Sequence, residues 1–137
     1  MTRSKKPPLR CTTSGTLPTD RLKRVSAIFF RTESGREPLR EWLRSFAPED
    51  RRLIGEDIRT VEYGWPLGMP VCRPLGDGLF EIRTSLSGNR IVRVFFCIDK
   101  HQRAVLLHGI VKKTQATPKS DLELARQNKK KHEKGLQ

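Results

Sequence analysis

Cysteine, histidine and long apolar runs are all scarce in this chain. Its 137 residues include three Cys, at positions 11, 72 and 97, and three His, at 101, 108 and 132. No two cysteines form a C-x-x-C pair, which argues against a disulfide framework and against a zinc site. The histidines have no metal-ligand spacing, so neither a metal nor another cofactor is expected. The longest apolar runs, such as "AIFF" and "AVLL", are far too short to span a bilayer. No membrane partner is therefore expected. No signal peptide precedes the body, and a cytoplasmic, reducing setting is the expectation.

Acidic residues are also few, with 15 Asp and Glu against 28 Lys and Arg, a formal net charge of +13. The excess is uneven: residues 1–24 carry a net +6, residues 25–117 a net +4 and residues 118–137 a net +3. Such a balance suits a polyanionic partner, because neutralising phosphates with Lys and Arg dominates nucleic-acid affinity. It equally suits a soluble body with charged ends. The length allows one domain with a modest core. Residues 1–24 read as a basic extension expected to be disordered, residues 25–127 as the domain, and residues 128–137 as a charged C-terminal tail.

Within the domain the periodicity changes twice. "RVSAIFFR" (24–31) reads as a strand. After the break at "ESGRE", Leu39, Trp42, Leu43 and Phe46 lie on one helical face. Pro48, Glu49 and Asp50 suit the first turn of a second helix, which Ile54, Ile58 and Val61 continue until Gly64 and Pro66. "VCRPL" (71–75) is a short strand that Pro74 assigns to a sheet edge. "GLFEIRTS" (78–85) alternates, "SGN" turns the chain, and "RIVRVFFCI" (90–98) and "AVLLHGIV" (104–111) follow as strands. Thr117 and Pro118 then open a last helix. The fold class is α+β: a small antiparallel β-sheet packed by an N-terminal helical hairpin and a C-terminal helix.

Arg83, Arg90, Lys112 and Lys113 come from three successive strands and can converge on one surface. Cleavage of RNA by its own 2′-OH needs no metal, only a base, cations on the phosphate and an acid for the departing 5′-oxygen. Arginine suits the phosphate because its fixed fork grips two oxygens. A lysine beside other cations can act as a base, and His108 is an acid/base candidate if its ring faces the cluster. The plainer alternatives are that strand-end cations sit in solvent, that His108 is a hydrogen-bonded core residue, that Glu81 and Arg83 are an ion pair and that Cys97 is a small core side chain.

The segment "PLGDGLFEIRTSLSGNRIVRVFFCID…AVLLHGIVKKTQATPKSDLELA" resembles the RelE/HigB superfamily of toxins from bacterial toxin–antitoxin modules. More narrowly, it is similar to the phage-derived HigB-like branch, over roughly residues 25–127. The resemblance implies a RelE-like fold and a ribosome-dependent mRNA endonuclease, an mRNA interferase that inhibits translation. It also implies a cognate HigA-like antitoxin, a possible toxin–antitoxin hetero-oligomer, and the ribosome and mRNA as partners. Carried over by position, Arg83, Arg90 and Lys113 are catalytic, with Lys112 the near alternative to Lys113 and His108 a further catalytic candidate. Lys112, Arg93, Arg73 and Lys119 make up the implied RNA-binding set. Glu81 stands where RelE itself has a lysine, and the single tyrosine, Tyr63, is not C-terminal, so the general base is not assigned. Two alternatives remain: a ParE-like inhibitor of DNA gyrase that cuts nothing, and a plain nucleic-acid-binding module.

Overall fold

A computed structural model describes residues 22–66, 72–112 and 118–135. The order is β1 (Ser26–Phe29), α1 (Pro38–Arg44), α2 (Pro48–Gly64), β2 (Cys72–Gly76), β3 (Leu79–Leu86), β4 (Arg90–Ile98), β5 (Arg103–Lys112) and α3 (Lys119–Gly135). The α+β class read from the sequence is what the chain adopts. A proline opens each of the first two helices, where its missing N–H costs no intrahelical bond. Glu49 and Asp50 occupy the first turn of α2, at the positive end of its dipole.

The five strands lie in the order β1-β5-β4-β3-β2. β2 to β5 form the expected antiparallel meander, with Pro74 on the edge strand. The remaining strand pairs in the other sense. β1 runs parallel to β5, from Ser26 opposite Arg103 to Phe29 opposite Leu106, and the two helices carry the chain back across one face. Four residues, Ser26–Phe29, do not name a partner, so periodicity alone left β1 unplaced.

α1 and α2 cover one face, over Ile82, Leu86, Val92, Val94, Phe96 and Leu106. α3 covers part of the other, over Leu79, Phe95, Cys97, Val105 and Leu107. A bulge in β5 decides which side chains reach α3. Phe96 pairs with Leu106 but Phe95 with His108, so Leu107 is the extra residue and the alternation is reset. His108, Ile110 and Lys112 consequently share α3's side of the sheet, and Gly109 turns to the helical side. A Cβ at Gly109 would lie 2.5 Å from Trp42 Cζ3 and 2.9 Å from Leu39 Cδ1. Gly109→Ala is therefore expected to cost about 1–3 kcal/mol through overpacking, measured as a lower urea midpoint. An unchanged midpoint would mean that α1 yields freely at this contact.

α3 continues through most of the charged segment expected at 128–137, as far as Gly135. Ala125, Asn128 and His132 prolong its inner face, but two of the three are polar and escape a hydrophobic count. Asn128 Nδ2 donates to the Leu107 carbonyl at 3.0 Å, and His132 Nε2 lies 3.0 Å from Asp99 Oδ2. Asp99 also accepts from Arg103 Nε and from the backbone N–H groups of His101 and Arg103. Burial alone would raise its pKa, but the bonds from His132, Arg103 and His101 win and hold it down at about 2. A carboxyl depressed from 3.8 to about 2 contributes stability that is complete above pH 4 and lost as pH falls through 2. Asp99→Asn is expected to lose on the order of 2 kcal/mol at pH 6. That deficit should shrink between about pH 4 and pH 2, a trend that paired acid titrations of unfolding would show.

Candidate functional site

The α3 side of the sheet holds most of the charged residues singled out above. Strand register sets them in rows. Arg73, Glu81, Phe95 and His108 lie across β2, β3, β4 and β5 in one row, and Arg83, Arg93 and Ile110 in the next. Ile91 and Lys112 follow, one step closer to the strand ends. Arg73 is exposed on the edge strand and Lys112 is half-buried. Lys119 is exposed at the start of α3.

Arg93 does not occupy the surface position that an RNA-binding role requires. Its side chain is fully buried, and so is that of Glu81. Arg93 Nη1 donates to both Glu81 oxygens, at 3.4 and 3.3 Å. The two are diagonal neighbours on adjacent strands, close enough for long side chains to meet. Arg83 stands on the surface side of this pair, its Nε 4.0 Å from Glu81 Oε2 and its side chain 21% exposed. Glu81 is thus flanked by two guanidinium groups, one inside and one at the surface.

Arg90 is the second correction. The expected convergence of Arg83, Arg90 and Lys112 on one face does not occur, because Arg90 pairs with Leu86 and shares its helical face. There Arg90 Nη1 donates to Asp50 Oδ2 at 3.1 Å, Nε to the Ser87 carbonyl and Nη2 to Ser87 Oγ. The sequence carried a usable signal: a turn at 87–89 places Leu86 opposite Arg90, and Leu86 is apolar. Lys113, the carried-over catalytic lysine, lies outside the described residues, as does the expected cap Thr117.

His108 faces α3. Its ring stacks on Phe95, with centroids 6.1 Å apart, and Nε2 is 2.8 Å from Asp121 Oδ1. Asp121, in the first turn of α3, was not anticipated; it lies thirteen positions beyond His108, and no local pattern links them. His108 also borders a cleft of about 1180 Å³ between α1, the β1–α1 loop, β5 and α3. Trp42 and Leu39 form its apolar wall, and Arg31, Lys131 and Lys134 line it as well.

Cys72 and Cys97 are buried, and burial pushes their thiols up to about 11 and about 12. Neither is a nucleophile at neutral pH. Among the described residues, no three His, Cys, Asp or Glu side chains are grouped to hold a metal ion. No helix among them is long and apolar enough to cross a membrane.

A protein-family profile described as "Phage derived protein Gp49-like (DUF891)" matches residues 41–130, from within α1 to well into α3. No curated protein matches the chain.

Proposed function

The chain belongs to the Gp49-like family of phage-derived proteins, and on that footing we propose that it is a ribosome-dependent mRNA endonuclease of the HigB-like branch. The family is grouped with the RelE-like toxins of toxin–antitoxin modules, which implies an antitoxin partner; a HigA-like protein is our assignment for it. The ribosome and its mRNA are the proposed substrate complex, in the cytoplasm. One observation carries the proposal: Arg83 and Lys112 share a sheet face with the His108–Asp121 pair. These are the cations and one proton-handling group that attack by the 2′-OH requires.

In the proposed step the 2′-oxygen forms a bond to phosphorus and the P–O5′ bond breaks. Arg83 and Lys112, with Lys113, meet the charge that builds on the phosphate oxygens. His108, oriented by Asp121, supplies a proton to the leaving 5′-oxygen or accepts one from the 2′-OH. Ribosomal RNA can position the substrate and the remaining proton acceptor. Arg73 and Lys119 are exposed and suited to phosphates farther along the strand; Arg93 acts from beneath. Arg90 contributes from its own side of the β3–β4 turn, held by Asp50 and Ser87.

The ParE-like alternative predicts a different target. Purified protein should leave gyrase supercoiling unaffected while a pulse of its expression shortens cellular mRNA. Inhibited supercoiling with intact mRNA would overturn the nuclease assignment.

A further inference from the structure

We infer that Glu81 is a positioning residue for Arg83, fixing its guanidinium where a phosphodiester is bound; this rests on the nuclease role proposed above. A fully buried ion pair such as Glu81–Arg93 contributes little net stability, since apolar side chains of similar volume fill a core as well. Its placement is what matters here. A single carboxylate oxygen, Oε2, lies 3.3 Å from Arg93 Nη1 and 4.0 Å from Arg83 Nε. Arg93 grips the carboxylate from the interior, bonding both oxygens, so Glu81 cannot swing away. The guanidinium of Arg83 is a planar fork. A carboxylate held 4.0 Å from its Nε attracts that edge of the plane by charge, at a separation longer than a hydrogen bond. Two oxygens of a phosphodiester are the ligand that an oriented fork recognises best.

The discriminating experiment is a double-mutant cycle on programmed ribosomes, read as the single-turnover rate of mRNA cutting. Glu81→Gln is expected to slow cutting on the order of 100-fold, the scale of a small misplacement of a catalytic group, with half-saturation by ribosomes unchanged. In an Arg83→Ala background the same substitution should have no further effect, because Glu81 acts only through Arg83. Losses that multiply instead would overturn the positioning role, as would removal of the acidic limb of the pH–rate profile, which would make Glu81 a proton acceptor. Glu81→Gln also removes the carboxylate charge that Arg93 Nη1 binds. A second variant, Glu81→Met with Arg93→Met, removes the pair together and should fold yet cut as slowly; wild-type cutting by it would also overturn the role. A spectroscopic arm is independent of activity. The Arg83 Nε–H resonance, assigned by its loss in Arg83→Ala, should be shifted from solvent-exposed arginines in the wild type and collapse onto them in Glu81→Gln. An unmoved resonance overturns the inference whatever the ribosome assay shows. Absence of cutting by the wild type, with the resonance behaving as expected, would remove the nuclease role and leave the Glu81–Arg83 contact standing.

Discussion

Arg93→Met alone is expected to destabilise the protein by about 3–5 kcal/mol, the scale on which a stranded buried charge is penalised. Glu81 would then keep Arg83, at 4.0 Å, as a cationic neighbour, which places the cost toward the lower end of that range. Glu81→Met alone should cost as much or more, because the wholly buried Arg93 has no water to turn to. The paired replacement by two methionines should match the wild type or exceed it, since neither charge remains to be desolvated. Urea unfolding of the four proteins measures this directly: two midpoints should fall well below the wild type and one should not. A double variant as unstable as the single ones would mean that the pair is held by further bonds and not by mutual neutralisation.

Arg83→Ala is the substitution expected to weigh most on activity. A donor aimed at charge that develops in a transition state is worth roughly 100- to 1000-fold in rate. Its side chain is already partly in solvent, so the fold should lose little. Arg90→Ala makes the informative contrast. Arg90 is held by Asp50 and Ser87 on the opposite face, and its removal also frees the Asp50 carboxylate that it binds. Its rate loss should therefore be smaller than that of Arg83→Ala and accompanied by lower stability. Equal losses with unchanged stability would put both arginines on the phosphate.

Most of the fold was legible because its elements carry strong periodicity. The helix face at Leu39, Trp42 and Leu43 and the alternation of "GLFEIRTS" each point to one element type, and Pro74 marks an edge. The bulge at Leu107 was not legible, since an inserted residue in an apolar strand leaves no trace in a count of hydrophobic side chains. Its consequence for the site is large: it turns His108 and Lys112 toward α3. The resemblance placed Arg93 among the RNA-binding cations. Glu81 reverses this, and the diagonal pairing that joins them appears only once β3 and β4 are in register. The extent of α3 was missed for a related reason: its inner face ends in Asn128 and His132, whose partners lie on other strands.

We propose that the chain cuts mRNA on the ribosome with a cationic face built from Arg83 on β3 and Lys112 on β5. Mapping 5′ ends on a reporter mRNA, free and on translating ribosomes, is the most direct measurement. The expected result is cuts phased with codons that need ribosomes and disappear with Arg83→Ala. Cuts on free RNA that ignore the reading frame, or intact mRNA under growth arrest, would contradict it.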